Sequence, residues 1–63
     1  MLNNIMKNRR LQMELSQDQA ARLCDITLSS YQKIEQGVHK NPTISTVLKI
    51  FNGLGLELNI LQK

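Results

Sequence analysis

Between Ser16 and Gly37 the chain stops one helix and restarts another across three residues, and this punctuation constrains the fold more than any other feature. Ser16 and Gln19 have the spacing of a capping box. In that arrangement the Ser16 hydroxyl accepts from the Gln19 amide and the Gln19 side chain returns to the Ser16 amide. Asp18 suits the positive end of the helix begun there, and Leu15 stands as the N′ partner of Ala20 in a weak hydrophobic staple. Ala20, Ala21, Leu23 and Cys24 supply an apolar face. The adjacent alanines let a neighbouring helix backbone come close. Asp25-Ile26-Thr27 then turns the chain, because Asp tolerates the left-handed conformation and Thr27 can cap a second helix. That second helix runs from Thr27 to Gln36, with Leu28, Tyr31, Ile34 and Glu35 on nearby faces, and Gly37 ends it.

The flanks are also helical. Leu2, Ile5, Met6, Arg9 and Met13 recur at helical spacing, which predicts a helix over 2–13. Asn41-Pro42-Thr43 is a turn and then a cap. Beyond it Ile44, Val47, Leu48, Phe51 and Leu54 keep the i, i+3, i+4, i+7 spacing without a miss. This is the strongest helix in the sequence, and Gly53 and Gly55 end it. Leu56 to Leu61 alternates apolar and polar at period two, which predicts a strand. The expected fold is therefore all-α: four helices, with room for a short fifth turn, plus a C-terminal β-strand. Residues 1–63 are expected to form a single domain, with a helical body over 1–55 and the strand over 56–61.

Composition narrows the function. A chain of 63 residues holds one small domain that buries about 60% of its unfolded surface, a marginal core. Only Tyr31 and Phe51 are aromatic, so an aliphatic core is expected. No apolar run is long enough to span a membrane and no secretory leader is visible, so the reading is cytoplasmic. The lone Cys24 excludes an internal disulfide or a Cys-rich metal site, and reads as a small buried hydrophobe. Eight Lys/Arg against five Asp/Glu give a net charge of +3, compatible with a polyanionic partner without requiring one. Catalytic groups are sparse: one histidine, no Gly-rich phosphate loop and no carboxylate pair with a role. The expectation is a non-enzyme with no cofactor and no metal. His39 reads as an exposed loop residue, Met6 and Met13 as core filler, and Lys7 and Arg9 as solvated.

Two short helices joined by a tight turn, with paired alanines in the first, describe a helix-turn-helix over about Gln17 to Gln36. The second helix of such a unit must protrude to enter a major groove roughly 12 Å wide. Arg10, Leu15-Ser16-Gln17-Asp18-Gln19-Ala20-Ala21, Ile34-Glu35-Gln36-Gly37 and Asn41-Pro42-Thr43-Ile44 together resemble the Xre family, the Cro/CI phage-repressor type of DNA-binding domain. The likeness covers residues 2–56. The closing Thr46-Val47-Leu48-Lys49-Ile50-Phe51 and Leu54-Gly55-Leu56-Glu57-Leu58 are similar to the HipB-type antitoxin regulators, which add a short strand after the last helix.

The resemblance implies roles residue by residue. Thr27, Leu28, Ser29, Gln32 and Lys33 would face the groove, where Lys pairs with guanine and Gln with adenine. Leu28 would meet a thymine methyl or else the core. Gln17 would donate to a phosphate and steady the recognition helix, against the plainer reading of a surface glutamine. Lys40 and Asn41 would touch phosphates. Arg10 and Glu35 would form a largely buried ion pair. Asp25 departs from the glycine common at the turn, Ala20 from the usual leucine, and Tyr31 stands where a small aliphatic is usual, filling the space that Ala20 leaves.

A lone strand has no partner for its backbone groups. Leu56, Leu58 and Ile60 are therefore expected to build a two-fold ribbon between two copies. The expected function is sequence-specific binding of double-stranded DNA at a palindromic operator, as a homodimeric repressor. The narrower reading is an autoregulating antitoxin that also binds a cognate toxin protein. The alternatives are a phage or restriction-system regulator, and a protein-interaction module that uses no DNA.

Overall fold

A computed structural model describes residues 2–56. Among these residues four helices occur in order: α1 (Leu2–Gln12), α2 (Gln17–Leu23), α3 (Leu28–Glu35) and α4 (Ile44–Gly53). Three of them start on the hydroxyl caps that the sequence predicts. The Gln19 amide donates to Ser16 Oγ at 3.1 Å and the Ser16 amide to Gln19 Oε1 at 2.9 Å, completing the capping box. Thr27 Oγ1 accepts from the Ser30 amide at 3.1 Å and Thr43 Oγ1 from the Thr46 amide at 3.2 Å. Each cap satisfies an amide that has no partner inside its helix.

All four helices end in the same way. A residue in the left-handed region succeeds each last turn: Glu14 at φ 57°, Asp25 at 58°, Gly37 at 81° and Gly55 at 66°. The next amide reaches back to a carbonyl of that turn. Leu15 bonds Arg10 at 3.1 Å, Ile26 bonds Ala21 at 3.1 Å, Val38 bonds Lys33 at 2.9 Å and Leu56 bonds Phe51 at 2.8 Å. This is the Schellman closure. Asp25 thus makes the turn that the sequence assigns to it, without a glycine. The Glu14 turn carries no glycine signal, so nothing local in the sequence marks it.

α3 packs against both α1 and α2, and α4 rests on α2. The core is Met6, Ala20, Ala21, Cys24, Tyr31, Ile34, Ile50 and Leu54, with Leu2, Met13, Leu15, Ile26 and Leu56 packed at its edge. Tyr31 is the largest fully buried side chain, so the core is not purely aliphatic. The α2–α4 contact is close. A β-carbon on Gly53 would stand 2.6 Å from both Leu23 O and Cys24 Cα, so this glycine is a packing requirement as well as a helix end. Arg9, solvated by the sequence reading, instead donates from Nε to Leu54 O at 2.7 Å and caps the C-terminal end of α4.

The structure departs from the sequence expectation at the C-terminal end, and it covers the apolar stripe of α4 only in part. Of that stripe only Leu54 is fully buried. Ile44 is 77% and Leu48 47% exposed, Val47 and Phe51 are half-buried, and the fully buried residues are Ile50 and Leu54. At 100° per residue these fall on two neighbouring arcs, and Ile44 and Leu48 point away from the body. Among the described residues there is no strand. Leu56 is in irregular backbone, while Leu58, Ile60 and the rest of the predicted strand lie outside the described residues.

Replacing Glu14 or Asp25 by Gly should leave stability unchanged or raise it by up to about 1 kcal/mol. Relief of the left-handed backbone is set against the greater freedom of the unfolded chain. Gly53→Ala should instead lose about 1–3 kcal/mol through overpacking, despite alanine's better helix propensity. Urea denaturation monitored by circular dichroism measures all three.

Candidate nucleic-acid interface

The exposed side of α3 is set by the side it buries. Tyr31, Ile34 and Glu35 face inward. Leu28, Ser29, Gln32 and Lys33 occupy the remaining arc. Ser29 and Lys33 are exposed, Leu28 is 37% exposed and Gln32 is half-buried. Leu28 therefore lies at the rim, with part of its surface in solvent and outside the fully buried core. Thr27 is exposed, but its hydroxyl is already engaged, accepting from the Ser30 amide and donating to Ser30 Oγ at 2.9 Å. Lys40 and Asn41 are exposed on the 38–43 loop, whose start is tied to α3 by the Val38 and His39 amides donating to Lys33 O.

Behind this surface lies a polar network that the sequence reveals only in part. Arg10 and Glu35 form a two-pronged pair: Nε to Oε2 and Nη2 to Oε1, both at 2.9 Å. The two side chains are 12% and 4% exposed. The third arm of the guanidinium, Nη1, donates to Leu15 O at 3.0 Å and pins the α1–α2 turn. Gln17 Nε2 donates to Glu35 Oε1 at 3.1 Å, and Gln17 Oε1 accepts from Gln32 Nε2 at 3.1 Å. A continuous relay thus runs Arg10–Glu35–Gln17–Gln32, from α1 through the buried carboxylate to the exposed side of α3. The Gln17–Gln32 bond is the link that spacing alone could not supply, because the two residues sit on different helices.

Burial disfavours the charged form of Glu35, but hydrogen bonds from Arg10 and Gln17 and the nearby positive charge outweigh it and hold the carboxyl below its ordinary value. The same hydrogen bond holds the Arg10 guanidinium above its own. The Tyr31 hydroxyl lies beside this pair, where burial and then the carboxylate keep it un-ionised, yet it makes no hydrogen bond of good geometry. Burial likewise pushes the Cys24 thiol up to about 11, consistent with the inert core residue that the sequence suggests. Among the described residues no group of His, Cys, Asp and Glu could hold a metal ion. None of their helices is long and apolar enough to cross a membrane.

A braced helix pair, a second helix with one exposed side and, after it, a loop with exposed cationic and amide side chains are the features of a helix-turn-helix DNA-binding domain. The family model described as Helix-turn-helix matches residues 6–61. The chain belongs to this family, of the Xre/Cro/CI type, a family of DNA-binding regulators rather than of enzymes. Comparison with curated proteins and with solved structures gave no match.

Arg10→Met should cost about 3–5 kcal/mol, because it strands a buried carboxylate, and should leave much of this small domain unfolded at room temperature. Acid should act through the same pair. The folded-state value of Glu35 lies below its ordinary 4.5, so its contribution is complete above that pH and disappears as the pH falls through the depressed value. Glu35→Gln should flatten this part of the stability–pH curve. Tyr31→Phe should change stability by no more than about 1 kcal/mol, since the hydroxyl it deletes lies buried beside the Glu35 carboxylate without a hydrogen bond of good geometry.

Proposed function

We propose that the chain is a sequence-specific binder of double-stranded DNA that acts as a homodimeric transcriptional repressor at a palindromic operator. The observation that carries this reading is the outward arc of α3. Ser29 and Lys33 project from a helix whose other side is locked to α1 and α2, and Gln32 is held beside them by Gln17. Lys33 offers donors to guanine and Gln32 suits adenine, while Leu28 at the rim suits a thymine methyl. Gln17, Lys40 and Asn41 would take the phosphates; Gln17 keeps a second amide proton after its bond to Glu35. Thr27, its hydroxyl committed to the cap, would bring its methyl group and the start of α3 to the groove.

Two copies related by a two-fold axis would present two α3 helices to successive major grooves, with half-sites about one helical turn apart. Residues 56–61, with Leu56, Leu58 and Ile60, are proposed to take part in the pairing. The finer reading adds an autoregulating antitoxin that also binds a cognate toxin protein. It is supported by the likeness of the closing segment to HipB-type regulators. No catalytic or cofactor role is invoked.

Selection of bound oligonucleotides should yield a palindrome whose affinity falls steeply with salt, as phosphate contacts require. Gln32→Ala with Lys33→Ala should abolish the preference for that operator over random duplex. It should leave the fold and any protein partner's binding intact. Retention of full operator preference by the double variant, measured by fluorescence anisotropy, would defeat the assignment of α3 as the reading helix.

A further inference from the structure

The relay behind α3 starts from a carboxylate, and an ionised carboxylate can only accept hydrogen bonds. Glu35 is kept in that form by Arg10, so neither of its oxygens has a proton to give. Gln17 must therefore turn its amide nitrogen toward Glu35, at 3.1 Å, and its amide oxygen away. That oxygen meets Gln32, which must in turn present its own nitrogen, again at 3.1 Å. Reversing Gln32 alone would set two oxygens face to face. Reversing both glutamines would satisfy the bond between them but oppose an oxygen to the carboxylate. The carboxylate thus breaks a tie that two amides by themselves would leave open. We infer that Glu35, acting through Gln17, holds the Gln32 amide with its oxygen toward the DNA, and so makes Gln32 a reader of bases that carry an exocyclic amino group, adenine first and cytosine second.

The outward oxygen is available. Gln32 is half-buried, and among the described residues its side chain makes a single hydrogen bond, from Nε2 to Gln17. The Tyr31 hydroxyl is the one buried side-chain polar atom of the described residues without a partner. Gln32 Oε1 has no partner either, so it reaches solvent. It does so next to Lys33, which is exposed on the outward arc of α3.

Base chemistry then sets the selection. In the major groove adenine offers N6–H and cytosine N4–H to an acceptor, whereas guanine and thymine present oxygens. Every base pair holds an amino group, but the strand that carries it differs. An acceptor at a fixed place therefore separates adenine or cytosine on the near strand from guanine or thymine there. Gln32 Nε2 keeps one proton after its bond to Gln17, and N7 of adenine can accept it, which ranks adenine above cytosine. Lys33 has donors only and suits the opposite set. The inference rests on the DNA reading proposed above and adds the direction that the fold imposes. Glu35 and Gln17 are positioning residues in it, and neither need touch the base.

Oligonucleotide selection on the wild-type chain, repeated with Gln32→Ala, locates the base that Gln32 reads. Adenine should be preferred there, cytosine should follow, and guanine or thymine should bind about tenfold more weakly. Base analogues then test direction on the unaltered protein by fluorescence anisotropy. Purine in place of adenine removes the amino group and should weaken binding about tenfold, while 7-deazaadenine keeps that group and should cost less. The reverse order overturns the inference, as does a preference for guanine or thymine, or the absence of any position that depends on Gln32. Gln17→Met breaks the relay but leaves Glu35 both bonds from Arg10. It should erase the ranking of bases at that position while preferences elsewhere persist. A Gln17 that serves only as a phosphate ligand would weaken all duplexes alike and keep the ranking, which also overturns the inference. If Gln17→Met does not fold, the analogue series decides alone. A wild-type chain that prefers no duplex over another refutes the DNA reading itself, whereas a clear operator with the wrong ranking at this position refutes only the relay.

Discussion

One carboxylate organises the molecule. Glu35, at the end of α3, accepts from Arg10 on α1 with both oxygens and from Gln17 at the start of α2 with one of them. The guanidinium that it binds also holds the carbonyl of Leu15 in the α1–α2 turn. Three helices and one connection therefore meet at a charge that is almost fully buried. Buried pairs of this kind seldom add net stability over an apolar replacement of the same shape, since removing both charges from water costs several kcal/mol. The pair's contribution here is direction. Two parallel bonds from a planar fork fix the rotation of α3 relative to α1 more tightly than aliphatic contact does.

That rotation is what the proposed DNA contact needs. Gln17 passes the constraint on, because its amide bonds Glu35 through nitrogen and Gln32 through oxygen. Gln32 is consequently held before any ligand arrives. Immobilising such a side chain on binding costs about 0.5–1.5 kcal/mol, and here part of that ordering is done by the fold. Lys33 is exposed beside it, without a comparable tether to another helix. The two neighbours therefore differ in kind: one is positioned in advance, the other is free to search.

Much of this is legible in the sequence, for reasons that are local. Ser16, Thr27 and Thr43 announce helix starts because a hydroxyl before an apolar period has few other uses, and Gly37 announces an end because few other residues accept its backbone. Asp25 is legible as a turn by the same logic. Glu14 is not: a glutamate at φ 57° has no local signature, and the Arg10 bond to Leu15 O that steadies the turn comes from across it. Arg9 passes for a solvated residue because its acceptor, the Leu54 carbonyl, is 45 residues away in sequence. Gly53 reads as a helix end and is also the point where two backbones touch, a fact held by the α2–α4 packing and not by its neighbours.

The orientation of α4 has the most physical content. Periodicity reports that one arc of a helix is apolar, not which surface covers it. Here only Leu54 of the regularly spaced set is fully buried, Val47 and Phe51 are half-buried, and the core is closed by Leu54 together with Ile50, with the bare Gly53 backbone between them in sequence. The close approach at Gly53 explains the choice. Seating the backbone of α4 against the end of α2 turns the Ile50–Leu54 side into the body and carries Ile44 and Leu48 away from it. A larger residue at position 53 would push the helices apart and remove the reason for that orientation. The small residue that lets α4 pack closely is therefore also what leaves Ile44 and Leu48 facing out.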